Sequence, residues 1–101
     1  MGTPFEVEVV TDGPSPQLRL RGELDIDVVE RFDAAVLAVT DGDPTSLEID
    51  LTNLSFLSSN GLSSLLHARS LVTEMVIRGC RPAVRRTFEM TGLDRFFTFT
   101  D

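Results

Sequence analysis

The stretch Leu47–Leu62, LEIDLTNLSFLSSNGL, decides the fold because it passes from the pattern of a strand to that of a helix. Leu47–Leu51 alternates apolar and acidic side chains, which is the period of a half-buried β-strand. A turn rich in Ser and Asn follows, and a short helix is predicted from Gly61 to about Arg69. The residues able to cap this helix are Ser58, Ser59 and Asn60. A strand joined by a short turn to a helix indicates an α/β protein.

Two more strands are predicted upstream of this stretch. Phe5–Val9 alternates apolar residues with glutamates, and Leu18–Arg21 alternates leucines with arginines. The turn-forming residues Asp12–Pro14 lie between them. Two strands joined by a short polar turn are most simply antiparallel.

The first helix is predicted from an apolar stripe that follows two acidic residues. The stripe at helical spacing consists of Val29, Phe32, Val36 and Val39. Asp25 or Asp27 can cap this helix, and Asp27 with Glu30 three residues later fits a capping box. The turn residues Asp41–Pro44 predict its end.

The C-terminal third predicts one more strand and one more helix. Val72–Ile77 fits a strand, Pro82 suits the first position of a helix, and Gly92 is predicted to end that helix. The residues predicted to close the core are Leu93, Phe96, Phe97 and Phe99. The order β-β-α-β-α-β-α predicts one α/β domain over residues 1–101, with a mixed, mostly parallel sheet and helices packed mainly on one face.

The charge of the chain is negative and unevenly distributed. The net charge is −7, and all nine basic residues are arginines. Up to Asp50 there are twelve acidic residues and three arginines, a net charge of −9, whereas the remainder carries +2. A net acidic protein repels a phosphate backbone, so nucleic acid is not an expected partner. The acidic surface fits a basic protein partner, and solubility alone is the alternative explanation.

The lack of a recognisable targeting signal and the single cysteine predict a cytoplasmic protein. Cys80 is the one cysteine, so no internal disulfide can form. The N-terminus has no basic segment followed by an apolar one, and no apolar run reaches the length of a membrane span. We therefore expect neither a secretory signal nor direct membrane insertion.

Residues with catalytic or metal-binding potential are few. Ser63 and His67 are four residues apart on one helix face, but the strained turn of a nucleophilic serine is absent, so a serine hydrolase is a remote alternative. One His and one Cys cannot form a structural zinc site. The acidic cluster before the first helix lacks the spacing of a calcium loop. We expect no enzyme activity, metal or cofactor.

Three stretches together resemble the anti-sigma-factor antagonist family of STAS domains. Asp50–Leu62 is similar to the family signature, roughly Asp-Leu-Ser-x-Val-x-Phe-Met-Asp-Ser-Ser-Gly-Leu. Leu20–Asp25 matches the Gly-Glu-Leu-Asp that precedes the family's first helix. Pro82–Arg86 with Thr91–Phe97 resembles its C-terminal helix. The resemblance covers nearly the whole chain and implies a STAS fold.

This resemblance implies a non-enzymatic regulator of transcription. Such proteins bind an anti-sigma factor, often a serine protein kinase, and so release a sigma factor. By resemblance the partner-binding residues are Ser58, Ser59, Asn60, Gly61 and Leu62, with the acidic Glu23, Asp25 and Asp27. We expect a monomer or weak homodimer. The alternative is an accessory STAS subunit of a membrane transporter or of a multi-protein signalling complex.

Two positions within the signature depart from the family. The serine that the family kinase phosphorylates falls on Asn60, which has no hydroxyl, and the acidic residue two positions earlier falls on Ser58. We therefore expect the usual phosphorylation switch to be absent, with Ser59 or Ser58 as the fallback acceptor. Gly61 is expected to permit a close approach of the partner, so that a bulky residue there weakens binding more than folding.

Overall fold

The computed structural model describes residues 4–41 and 46–100, in which five strands form one sheet in the order β1-β2-β3-β4-β5. The strands are β1 Glu6–Val10, β2 Gln17–Leu24, β3 Ser46–Leu57, β4 Glu74–Arg78 and β5 Thr98–Thr100. The helices are α1 Val29–Thr40, α2 Ser59–Ser70 and α3 Pro82–Met90, followed by a 3-10 turn at Leu93–Phe96. β1 is antiparallel to β2 and every other pair is parallel, which confirms a mixed, mostly parallel sheet.

All three helices pack on one face of this sheet. Alternate residues of β2, β3 and β4 are buried beneath them, among them Leu18, Leu20, Leu47, Ile49, Met75 and Ile77. The helices contribute Phe32, Val36, Leu62, Leu65, Val84 and Phe88 to the same core. The other face carries ion pairs between neighbouring strands: Arg19 with Glu8, Arg21 with Glu6, and Arg78 with Glu48. The predicted fold class and one-sided packing are confirmed.

β3 is longer than the predicted strand Leu47–Leu51, because it continues through the polar residues to Leu57. Its pairing with β2 shifts twice, so that β3 contains two extra residues relative to its neighbour. The buried residues accordingly change from alternation to a spacing of three, at Leu51, Leu54 and Leu57. Such bulges make a strand difficult to predict from sequence, because they break the period of two from which strands are predicted.

The start of α1 also differs from the prediction. The helix begins at Val29, its N-cap residue is Val28, and neither Asp25 nor Asp27 caps it. Instead, the Asp27 amide donates to the Asp25 carboxylate at 3.1 Å, and the Val28 amide donates to the Asp25 carbonyl at 3.1 Å. The predicted capping box is therefore wrong, because a turn separates Asp27 from the helix. At the other end Asp41 is the C-cap, and the rest of the predicted stop lies outside the described residues.

The C-terminal segment adds a strand that the sequence pattern did not predict. β5 pairs with β4 in parallel, and β4 begins two residues later than the predicted Val72. Phe97 is buried and its ring lies edge-to-face on Phe88 at 5.2 Å between centroids, as predicted for a residue that closes the core. Phe96 was predicted to do the same, but it is 50% exposed because the 3-10 turn directs it outward.

Candidate protein-docking site

The carboxyl ends of β2 and β3 bring the two predicted binding segments to one edge of the sheet. Leu24 pairs with Leu57 where both strands end. One residue later the Ser58 amide donates to the Leu24 carbonyl at 3.0 Å, which ties the start of α2 to the end of β2. The acidic turn before α1 and the first turn of α2 are therefore neighbours. Ligands of open parallel sheets commonly bind at this edge.

Ser58 is the residue that caps α2. It has an extended backbone, with φ −82° and ψ 169°, and its hydroxyl accepts from the Gly61 amide at 3.0 Å. Its carbonyl accepts the first helical bond, from the Leu62 amide at 2.9 Å. Of the three capping candidates in the sequence, the structure selects the first. The Ser58 hydroxyl therefore caps the helix, whereas Ser59 and Asn60 are exposed to solvent.

Removing this cap should cost stability. We expect Ser58→Ala to lower the free energy of unfolding by about 1 kcal/mol, because the Gly61 amide loses its acceptor. Urea denaturation followed by circular dichroism measures the change. Ser58→Asp, which restores an acceptor at the same place, should recover most of the loss. Ser59→Ala is the matched control, and a loss there equal to that of Ser58→Ala would contradict the assignment.

Gly61 and Leu62, both predicted to bind the partner, face the interior. Leu62 is only 2% exposed and belongs to the core. A Cβ atom at Gly61 would lie 2.6 Å from the Leu24 carbonyl oxygen and 2.9 Å from Leu57 Cδ1. The glycine thus permits a close approach of α2 to β2 within the protein. This crowding argues that a bulky residue at Gly61 affects folding strongly, against the expectation that it acts mainly on binding.

Ser59 and Asn60 are exposed in the first turn of α2. Within the described residues neither side chain forms a hydrogen bond. The amides of a helix's first turn have no helical partner, so this surface offers hydrogen-bond donors as well as the Asn60 carboxamide. The exposed part of the predicted Ser58–Leu62 loop is thus smaller than the sequence indicated.

The predicted acidic residues flank this turn. Asp27 is exposed, whereas Glu23 and Asp25 are half-buried. Between the two aspartates, Ile26 is 64% exposed, and Phe56 on β3, opposite Glu23, is 49% exposed. Neither of these apolar residues was predicted to lie at the site. Ile26 lies three residues before Val29, in phase with the apolar stripe of α1, so its spacing gave no sign of exposure, and the bulges of β3 hid the exposure of Phe56.

Groups with catalytic potential are not assembled into a reactive site. Ser63 and His67 are both exposed, and no hydrogen bond joins their side chains within residues 4–41 and 46–100. Burial raises the pKa of the Cys80 thiol to about 11, more than the nearby Arg85 lowers it, so the thiol stays protonated at neutral pH. Among the described residues no three His, Cys, Asp or Glu side chains converge as metal ligands. No helix in the described part of the chain is long and apolar enough to cross a membrane.

Comparison with known proteins identifies relatives along almost the entire chain. The family model described as "Mlab, STAS domain" matches residues 7–99. The chain is 30% identical over 94 residues to an anti-sigma F factor antagonist of Lysinibacillus sphaericus, covering 88% of this chain and 80% of that protein.

Solved structures agree with this assignment of relatives. The crystal structure of an anti-sigma factor antagonist from Mycobacterium paratuberculosis superposes with a TM-score of 0.87 at 28% identity, covering 95% of this chain and 85% of the other. The unphosphorylated antagonist SpoIIAA superposes with a TM-score of 0.76 at 25% identity, covering 97% and 89%. SpoIIAA of Bacillus has also been solved in a phosphorylated form.

Proposed function

The chain belongs to the STAS domain family, and from that premise we propose that it is an anti-sigma factor antagonist of the cytoplasm. It binds an anti-sigma factor, of the serine protein kinase type, and thereby releases a sigma factor. The observation that carries this proposal is the agreement of a sequence relative and solved structures, all anti-sigma factor antagonists, over nearly the whole chain.

The proposed docking site consists of the first turn of α2, at Ser59 and Asn60, and the acidic turn of Glu23, Asp25 and Asp27. Ser58 and the buried pair Gly61 and Leu62 hold this turn in place rather than contact the partner. A turn fixed by a cap, a backbone hydrogen bond and a packed leucine loses little conformational entropy when it binds. Binding of this kind needs no reaction at the site: the antagonist acts by occupying the anti-sigma factor.

The acidic turn favours a partner with a basic surface. The carboxylates of Glu23, Asp25 and Asp27 form no ion pair within the described residues, although other glutamates of the chain do. Charges at the rim of an interface act mainly on the rate of association. We therefore expect these residues to steer the encounter.

Reversing one of these charges should slow association. Asp27→Lys should lower the association rate constant at low salt by about fivefold and weaken its dependence on ionic strength, because a like charge then faces the partner. Stopped-flow or surface plasmon resonance with the purified anti-sigma factor measures it. Asp12→Lys, the same change in the turn that precedes β2, is the control and should have little effect. If Asp27→Lys and the parent have equal association rate constants at low salt, the acidic charge serves solubility and does not steer the encounter.

The proposed function can be tested directly by reconstitution. The purified protein is mixed with anti-sigma factors from the same organism and analysed by size-exclusion chromatography, and sigma-dependent transcription is then measured in vitro. We expect a stable complex with one anti-sigma factor and a rise in transcription as the protein is added. A stable complex with a membrane-transporter subunit, and none with an anti-sigma factor, would overturn the proposal in favour of the accessory-subunit alternative.

A further inference from the structure

We propose that Ile26 and Phe56 are apolar anchors of the docking site, and that the partner meets them with an apolar pocket rimmed by arginine or lysine side chains. This inference rests on the proposed function and adds the chemistry of the surface that binds there. It concerns residues that the signature resemblance does not single out as contacts.

Neither side chain belongs to the hydrophobic core or to the partly buried apolar residues packed against it. Ile26 is 64% exposed in the turn between β2 and α1, where a polar residue would serve equally well. Phe56 is 49% exposed beside the buried Leu57, the last residue of β3. Exposed apolar side chains mark a surface that a partner covers when they occur together beside polar residues, as these two do next to the acidic turn.

The two anchors each lie two residues from the backbone hydrogen bond that ties the start of α2 to the end of β2. Phe56 is opposite Glu23 in the sheet, and Ile26 follows Leu24 by two residues. The Ser58 amide donates to the Leu24 carbonyl, so the start of α2 is fixed near both of these backbone positions. A partner that contacts Ser59 and Asn60 therefore comes close to the backbone segments that carry both apolar residues.

The surrounding charge decides which kind of surface can cover the anchors. Ile26 has a carboxylate on each side, and Glu23 and Glu30 add two more, none of them in an ion pair within the described residues. A second copy of this chain would bring like charges together, and an anionic lipid surface would be repelled. A protein surface with basic side chains around an apolar pocket can pair with the carboxylates and bury the two exposed apolar side chains.

The anchors and the acidic residues should affect different rate constants. Truncation of a side chain that is buried in the complex acts on dissociation, because the lost contacts exist only once the complex has formed. The carboxylates act on association, as argued above for Asp27. This division separates an anchor from a residue that merely lies close to the interface.

Dissociation kinetics test the inference. The probe is the purified serine-kinase-type anti-sigma factor of the same organism, immobilised for surface plasmon resonance. Ile26→Ser and Phe56→Ser should each raise the dissociation rate constant by about tenfold or more, and change the association rate constant by less than about twofold. Thermal denaturation of each variant establishes that it is folded at the temperature of the measurement.

Two exposed apolar residues elsewhere provide matched controls. Leu37→Ser on α1 and Met90→Ser on α3 remove similar exposed side chains away from the contact turn, and both should leave the dissociation rate constant unchanged. Unchanged dissociation of Ile26→Ser and Phe56→Ser from an anti-sigma factor that binds the parent would overturn this inference and leave the proposed function intact. If no anti-sigma factor binds the parent, the proposed function and this inference fail together.

Discussion

Replacing Gly61 with valine should destabilise the protein by about 3 kcal/mol and lower its melting temperature by more than about 10 °C. The valine Cβ would lie 2.6 Å from the carbonyl oxygen of Leu24 and 2.8 Å from its Cγ, where real Cβ atoms do not occur. The obstacle includes backbone, so α2 has to move away from the end of β2. A domain of this size has a total stability of roughly 5–15 kcal/mol, and the loss is therefore a large part of it.

Urea and thermal denaturation of Gly61→Ala and Gly61→Val measure the effect, and alanine should give a smaller loss than valine. Gly13→Ala is the matched control, because among the described residues a Cβ there meets only the Ser15 carbonyl oxygen, at 3.9 Å. That variant should change the free energy of unfolding by less than about 1 kcal/mol. A Gly61→Val protein as stable as the parent but unable to bind the anti-sigma factor would restore the idea that Gly61 is a contact residue.

Replacing Asn60 with serine should create a phosphorylation site that the parent lacks. Asn60 is exposed in the first turn of α2. From the resemblance to the family signature, we expect it to stand in place of the serine that the family kinase phosphorylates. Its carboxamide can form hydrogen bonds but cannot accept a phosphoryl group. We expect the cognate kinase and ATP to phosphorylate Asn60→Ser in full, and the parent not at all, as measured by intact-mass spectrometry and peptide mapping.

The phosphate should release the partner without unfolding the domain. A dianion at the start of α2 is compatible with the free amides there, so the melting temperature should not fall. The added charge and bulk act instead on the surface that faces the anti-sigma factor. The parent protein, in contrast, should remain bound in the presence of ATP, so that it acts constitutively.

The variant Asn60→Ala and the two serines that precede this position make the result decisive. Asn60→Ala should bind without being phosphorylated, which separates the loss of the amide from the gain of a phosphate. Ser59 is exposed, whereas the Ser58 hydroxyl already accepts from the Gly61 amide. Full phosphorylation of the parent at Ser58 or Ser59 that releases the partner would contradict the constitutive behaviour.

The parts of the fold that follow a regular period could be predicted from the sequence. Leucines alternate with charged residues in β2 and in the first half of β3, and the stripe through Phe32 and Val36 defined the buried side of α1. Each of these patterns arises because one face of the element meets the core and the other meets water. The α/β class and the covered face of the sheet follow from them.

The parts that depend on tertiary contacts could not be predicted in the same way. The two bulges of β3 replace alternation by a spacing of three, so its second half was predicted to be a turn. The three residues of β5 form a strand because β4 offers its edge to them. Gly61 shows the same limit at the site. Its neighbour Leu24 is far away in the sequence, and its neighbour Leu57 lies in the bulged half of β3, where the pattern of burial is irregular. The sequence pattern therefore could not predict that Gly61 packs inside the protein.

The order of the strands has a consequence for how the chain folds as it is synthesised. Each strand pairs with the one that precedes it in the chain, from β1 through β5, so no strand has to wait for a partner made much later. Short separations between pairing segments reduce the entropy lost in closing the intervening loops. The nascent chain can therefore extend its sheet in the order of translation, and the edge of β4 stays open until β5 has been synthesised.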